Sequence, residues 1–390
     1  VETLGVYISV PFCKAKCTFC NFASGAFALE RMGGYVDSLV REIAAVRARA
    51  AELAAELPVH VDSVYFGGGT PSLLEPEQLR SIFAALRGEF DVAADAEMTL
   101  ECAPGQMSGA TLDEALRQGV NRVSFGVQSF VDAESAAVGR LHTAEQCLAE
   151  IARVRAAGIH EISLDLIAGL PRQTAASWEI SLEAVIASDV PHASVYMLEV
   201  DEDSRLGKEL IAGGPRYQAA AVPSDEAMTQ FYAVACERFA AAGLEQYEIS
   251  NFARPGHASR HNLKYWSRAP YVGFGVDAHS MLRRGAEAVR FANADSLEAY
   301  AAGADREVTE VDADAAFEEA LFLGLRRNAG VDLDALREEF GTARVAGCAE
   351  SVRELVEGGM LRQEGERVML TGRGRLVSNE VFGELLRVRV

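Results

Sequence analysis

Residues 4–20 read Leu4-Gly-Val-Tyr7-Ile-Ser-Val-Pro-Phe-Cys13-Lys-Ala-Lys-Cys17-Thr-Phe-Cys20. An apolar, β-branched run, the signature of a strand, leads directly into three cysteines spaced C-x3-C-x2-C. Three thiolates can hold three irons of a [4Fe–4S] cube. The fourth iron then lacks a protein ligand and can chelate a small molecule through an amine and a carboxylate, as the methionine end of S-adenosylmethionine would. Position 22 is Phe, so no fourth Cys follows at that spacing. Zinc is the first alternative, but zinc sites close with a second ligand pair, usually ~12–20 residues on. Here the next His is His60 and the next Cys is Cys102. A redox dithiol of Cys17 and Cys20 is the second alternative, and it leaves Cys13 without a role.

Working outward, strand-like and helix-like segments alternate up to about residue 200. VDSVYFG (61–67), EMTLEC (97–102), RVSFGVQ (122–128), EISLDLIAG (161–169) and ASVYML (193–198) read as strands. Helical periodicity covers 35–56, 75–90, 108–118, 143–157 and 174–187. Six strands with a helix after nearly every one predict parallel strands in an α/β fold, as a partial (β/α)6 TIM-like barrel. Residues 201–223 read as irregular around Gly213-Gly214-Pro215, and a helix follows at 224–243. From about 305 the pattern changes to helices near 312–327, 332–340 and 347–358, followed by a hairpin in GMLRQEGERVML. This predicts a barrel domain at 1–200, an α+β extension at 201–304 and a small winged-helix-like domain at 305–390.

The 390 residues carry a net charge of −20, which argues against nucleic acid as a partner. Hydrophobic residues make up 49%, enough for a sizeable core, yet no apolar run approaches the roughly 18 residues of a membrane span. The N-terminus lacks the basic region of a signal peptide. Seven cysteines without a paired framework fit a reducing compartment. A cytoplasmic location is expected, with a peripheral membrane position as a further option.

Polar residues close several of the strands. Gly67-Gly68-Gly69-Thr70-Pro71 follows the second strand; glycines let backbone amides approach a ligand, though a tight turn explains them equally well. Glu101, Gln128 and Asp165 end the third, fourth and fifth strands. On the C-terminal face of a barrel they would converge on one ligand; singly, each could cap a helix. Arg140 could pair with a ligand carboxylate or serve as a surface ion-pair residue. His261-Asn262-Leu-Lys-Tyr265-Trp266 combines an imidazole, a heme-iron ligand in other settings, with flat aromatic faces. The alternative is an aromatic cluster with His261 as a hydrogen-bonding strut. His257 and His279 are rival ligands.

Taken together, these stretches resemble the radical S-adenosylmethionine superfamily, and within it the oxygen-independent coproporphyrinogen III oxidase-like group. The resemblance rests on Tyr7 to Cys20, Gly67 to Pro71, Gly126 to Phe130, Gly139 to His142 and Asp165 to Pro171, in that order. It implies a partial (β/α)6 barrel in which Cys13, Cys17 and Cys20 bind the cluster. Tyr7, Gly68, Gly69, Thr70, Glu101, Gln128, Arg140 and Asp165 would contact S-adenosylmethionine. The superfamily implies reductive cleavage of that cofactor.

Phe22 stands where the oxidases carry a fourth Cys, and only twelve residues precede Cys13 where they have a long arm. The H-N-x-x-Y-W run is similar to that of the heme-chaperone branch of the group. That branch implies heme as a ligand, with His261, Asn262, Tyr265 and Trp266 at its site. It also implies heme-acceptor proteins, among them membrane respiratory enzymes, an electron donor such as flavodoxin or ferredoxin, and a homodimer as an option. The runner-up activities are coproporphyrinogen oxidation and a radical methyltransferase or cyclopropanase reaction. Asn21, Cys102-Ala103-Pro104 and Asp277 depart from the group's usual residues; a small residue is more typical at position 277.

Overall fold

The computed structural model describes residues 2–285 and 287–386. Six strands follow one another in parallel, each but the last leading into helical chain. β1 (Leu4–Val10) is followed by α1 (Met32–Ala44) and α2 (Val46–Glu52), and β2 (His60–Gly68) by α3 (Pro76–Glu89). β3 (Asp91–Cys102) leads to α4 (Gly109–Arg117), and β4 (Arg122–Gln128) to α5 (Asp132–Ala137) and α6 (Ala144–Ala156). β5 (Glu161–Ala168), α7 (Ala175–Ala187) and β6 (His192–Met197) complete the series. The fold is α/β, as expected, and its sheet is mostly parallel.

Helix boundaries follow local chemistry. Thr143 and Thr174 open α6 and α7 with reciprocal capping boxes, each hydroxyl accepting the amide three residues on. Along the strands, side chains alternate between two faces. Leu4, Val6, Ile8 and Val10, with Val64, Phe66, Leu100, Val123, Phe125, Leu164 and Leu166, point to the helices and are buried. The other face is polar: Ser9, Ser63, Glu97, Thr99, Arg122, Ser124, Ser163 and Ser194 lie along it. A parallel sheet covered by helices on both sides is apolar on both faces. Here one face is kept for polar business.

Residues 201–223 are not irregular throughout. They contain α8 (Arg205–Ala212), opened by Ser204, whose hydroxyl accepts the Gly207 amide, and closed by Gly213 at φ +76°. After α9 (Asp225–Ala241) come β7 (Glu245–Gln246), β8 (Asn251–Ala253), α10 (Arg260–Trp266), β9 (Tyr271–Phe274), β10 (His279–Arg284), β11 (Glu287–Ala292), α11 (Leu297–Ala301) and β12 (Glu307–Val311). The described residues form one twelve-stranded sheet in the order β12-β11-β10-β9-β1-β2-β3-β4-β5-β6-β8-β7. β9 runs parallel to β1, whereas β10, β11 and β12 are antiparallel additions. The large sheet thus runs on past residue 304.

The C-terminal part has its own core around Phe317, Leu321, Leu336, Phe340, Val352 and Val368. It comprises α12 (Ala313–Arg326), β13 (Val331–Asp332), α13 (Leu333–Phe340), α14 (Thr342–Glu357), β14 (Leu361–Glu364) and β15 (Arg367–Leu370), then α15 (Gly372–Leu376) and α16 (Ser378–Leu386). The three short strands form a separate sheet in the order β13-β15-β14. α14 starts five residues before the expected 347, because Gly341 at φ +91° turns the chain directly from α13 into it.

Candidate functional site at the C-terminal rim of the sheet

The cysteine loop leaves β1 and is stitched to the glycine turn that leaves β2. The Gly69 amide donates to the Val10 carbonyl and the Thr70 amide to the Phe12 carbonyl, both at 2.8 Å. A Cβ on Gly69 would lie 2.7–2.9 Å from the backbone of Phe12, Val10 and Pro11, so only glycine allows the two chains this close. The loop is then held from its other sides. Cys13 donates its amide to the Gly25 carbonyl, Thr18 to Val138 and Leu206 of α8 to Thr18.

All three cysteines are free; Cys17 is buried, while Cys13 and Cys20 are partly open. Burial raises the Cys13 thiol, opposed by the hydroxyls of Thr70 and Ser24, and the neighbouring Cys20 and Cys17 add to the rise. Among the described residues no three such side chains close round a single ion, whereas a cube takes its thiolates at separate corners. Arg140 reaches across to this loop. One guanidinium nitrogen donates to Cys17 Sγ at 3.4 Å and another to the Gly126 carbonyl. A side chain at position 126 would collide with it, since a Cβ there would lie 2.8 Å from Arg140 Nη2. Three free thiols on one clamped loop, with a cation on one sulfur, fit a cluster.

Beside this loop stand Glu101 and Asp165, both facing the polar side of the sheet. Desolvation raises the Glu101 carboxyl to about 7, against the opposing hydrogen bond from Tyr65 OH at 2.8 Å, and the charge of Asp165 adds to the rise. Asp165 is raised to about 6 by the same desolvation, opposed by Ser194, Ser124 and the charges of Arg140 and Arg122. Gln128 sits in the left-handed region at φ +71°, beside a register shift between β4 and β5. Such strain in a non-glycine residue clusters at functional sites. Tyr7, one strand from Tyr65, stacks on it with ring centroids 6.2 Å apart. The structure therefore brings Tyr7, the glycine turn, Glu101, Gln128, Arg140 and Asp165 to the rim that carries the cysteines. Reading only the strand-end residues missed Tyr65 and Ser124, whose hydroxyls donate to Glu101 and Asp165. The period-2 alternation in VDSVYFG and RVSFGVQ was the signal for both.

The H-N-x-x-Y-W run packs nearer the start of the strands, at Asp62 and Ser63, yet against the same polar face: His261 stacks on Tyr65 with ring centroids 5.2 Å apart, and its ring centroid lies 6.5 Å from that of Tyr7. His261 is 1% exposed. Its Nδ1 pairs with Ser63 Oγ at 3.0 Å and its Nε2 with Tyr265 OH at 2.9 Å. Burial, reinforced by the positive charge of Lys264, pushes the imidazole down to about 3. Glu97 accepts from Ser259 Oγ, the Arg260 amide and the His261 amide at 2.9–3.1 Å. Lys264 pairs with Asp62 at 2.7 Å. Trp266 faces the C-terminal part, with the Arg326 guanidinium 4.3 Å over its ring, and Asn262 is half-buried. Both ring nitrogens of His261 are thus engaged within the protein. Tyr265 alone of the four also lines a cleft that opens beside Tyr7.

A loop-borne set of three thiols at the C-terminal rim of a (β/α) sheet, with a glycine turn and two carboxylates beside it, defines the class. The Radical SAM superfamily pattern matches residues 7–185, and the HemN C-terminal domain pattern matches residues 311–377. The radical SAM domain implies a [4Fe–4S] cluster and S-adenosylmethionine.

Relatives narrow the class. The chain is 33% identical over 387 residues to the heme chaperone HemW of Bacillus subtilis, covering 97% of this chain and 98% of the relative. It is 33% identical over 392 residues to HemW of Mycobacterium tuberculosis, covering 99% and 95%. The chain belongs to the heme chaperone HemW family of radical SAM proteins. The solved Escherichia coli coproporphyrinogen III oxidase HemN superposes with a TM-score of 0.83 at 23% identity, covering 98% of this chain and 90% of that one, and so shares the fold.

Proposed function

We propose that the protein carries one [4Fe–4S] cluster on Cys13, Cys17 and Cys20, binds S-adenosylmethionine beside it, and binds heme for delivery to acceptor proteins. The observation that carries this reading is the convergence of the cysteine loop, the Gly67–Thr70 turn and the Glu101/Asp165 pair on one rim. Glu101 and Asp165, costly to ionise alone, suit a cationic ligand, whose charge would offset their desolvation. Gly68, Gly69, Thr70 and Gln128 supply backbone and amide contacts, Tyr7 a flat face, and Arg140 a partner for a carboxylate. When bound, the cluster supplies the electron that the superfamily uses to cleave a sulfonium.

Phe22 supports the chaperone reading over the oxidase. It replaces a fourth thiol and is 63% exposed at the mouth of the cleft, where a flat apolar ligand can lie on it. Of the H-N-x-x-Y-W residues, Tyr265 is the one placed to meet such a ligand, with His261, Asn262 and Trp266 supporting it from behind. The setting proposed is cytoplasmic, with heme-acceptor proteins and an electron donor such as flavodoxin or ferredoxin as partners. No described helix is long and apolar enough to cross a membrane. The test is anaerobic: titrate reconstituted protein with heme, then mix it with an apo-acceptor. Saturable heme binding and transfer are expected. Robust conversion of coproporphyrinogen III by the same preparation would overturn the reading.

A further inference from the structure

Each sulfur of the cysteine loop has a hydrogen-bonding side chain beside it, and one residue serves two of the three. Arg140 donates to Cys17 Sγ at 3.4 Å. Ser24 Oγ lies 3.8 Å from Cys20 Sγ, within reach of a hydrogen bond to sulfur. Ser24 also faces the Cys13 thiol, together with Thr70. The chain returns to the cysteines at Ser24 because the loop closes on itself. The Gly25 amide donates to the Pro11 carbonyl and the Cys13 amide to the Gly25 carbonyl, both at 2.9 Å. This bridge between Phe12 and Gly25 fixes the place of the residue before Gly25. Ser24 is 6% exposed, so water hardly competes for its hydroxyl.

With a free thiol, either the Cys20 sulfur or the Ser24 oxygen can be the donor. Iron ligation decides the direction. A cysteine binds iron as the thiolate and gives up its proton. The sulfur then only accepts, and the Ser24 hydroxyl is left to donate. Reduction adds one electron, hence one negative charge, to the cluster and its thiolates. A hydrogen bond to an ionised acceptor is stronger than one to a neutral acceptor, so this bond tightens as charge accumulates on the sulfur. Hydrogen bonds to the sulfurs are among the factors that set an iron–sulfur reduction potential.

We infer that Ser24 raises the reduction potential of the cluster by donating its hydroxyl to the Cys20 sulfur, with Cys13 as the second sulfur in reach. One electron passes from a one-electron reductant to the cluster; the reductant is oxidised, and Ser24 keeps its proton. This rests on the reading of the three cysteines as cluster ligands and gives a residue outside that set a part in the electron transfer. Arg140 acts on Cys17 in the same sense but is also placed to meet a carboxylate. Ser24 therefore isolates the effect on potential from the effect on cofactor binding.

The test uses the full chain, reconstituted with iron and sulfide under anaerobic conditions, without S-adenosylmethionine. Samples poised with dithionite are read by the electron paramagnetic resonance of the reduced cluster. Ser24→Ala should hold as much iron and sulfide as wild type. At a fixed potential its ratio of reduced to oxidised cluster should fall about tenfold, a shift of ~59 mV to lower potential for one electron. Ser24→Thr, which keeps the hydroxyl, should stay near the wild-type midpoint. So should Asn21→Ala, which alters the same loop away from the sulfurs. An unmoved midpoint in a fully loaded Ser24→Ala, or an equal shift in Asn21→Ala, would overturn the assignment while leaving the cluster reading intact. Should Ser24→Ala load poorly, the wild type decides: its iron–thiolate Raman bands should shift in D2O, and bands that stay in place would overturn the assignment. Wild type that takes up no iron and sulfide would overturn both readings.

Discussion

The two ends of the sheet use the same kinds of residue to opposite effect. At the N-terminal end, His261, Glu97, Lys264, Asp62 and Ser63 are packed together, each with a partner. At the C-terminal rim, Glu101 and Asp165 are held desolvated, and burial raises both carboxyls despite the hydroxyls that bond them. Buried polar groups paired with opposite charges fix a fold, whereas buried carboxyls bonded mainly by hydroxyls and raised by desolvation suit an incoming cation. The lesson is that residue type alone does not separate strut from site; the kind of partner does.

The largest effect expected from this contrast is at the rim. Cys17→Ser should abolish the cluster, dropping iron and sulfide from about four each per chain to near zero in elemental analysis. Retained iron and sulfide would break the assignment of the loop. Gly69→Ala should come next. Its methyl group would meet three backbone atoms of the cysteine loop, destabilising the fold by ~1–3 kcal/mol in chemical unfolding and reducing cluster content as well. A variant as stable and as fully loaded as wild type would show that the two loops are not locked together.

The two ends then respond to pH with opposite sign. His261 stands at about 3 in the fold and near 6.5 unfolded, so the unfolded chain takes up the proton as pH falls below 6.5. Its contribution is therefore lost on acidification, by up to ~1.4 kcal/mol per pH unit. His261→Gln should lower stability by ~1–3 kcal/mol at pH 7 and flatten the slope between pH 4 and 6.5, while cluster content stays unchanged. Glu101 stands at about 7 in the fold and near 4.5 unfolded, so the folded chain holds the extra proton between those values. Stability of the ligand-free protein should fall as pH rises through that window. Glu101→Gln should recover about 1 kcal/mol at pH 8 and weaken binding of S-adenosylmethionine. Equal signs at both ends, measured by thermal unfolding across pH, would erase the distinction.

Much of the rim was legible in the sequence because its parts are local. The cysteine spacing, the glycine run and the strand-end Glu101, Gln128 and Asp165 each announce themselves within a few residues, and the strand–helix alternation supplies the common edge. The N-terminal end was not legible. The partners of His261 are Ser63 and Glu97, 198 and 164 residues away, and no local pattern says that they meet. α8 was hidden for a smaller reason. Gly213, Gly214 and Pro215 dominate the stretch and masked the Ser204 cap and the short amphipathic run RLGKELIA behind it. His279 could be noticed as a histidine, but its place at the rim depends on β9 joining β1 in parallel, a topological fact.

The central claim is that the rim holds a cluster with one iron open to the amino and carboxylate groups of S-adenosylmethionine. Electron paramagnetic resonance of the reduced, reconstituted protein tests it directly. The account predicts a [4Fe–4S] signal whose g-values shift when S-adenosylmethionine is added, and no such shift in Glu101→Gln at the same concentration. A signal indifferent to S-adenosylmethionine in the wild-type protein would contradict it.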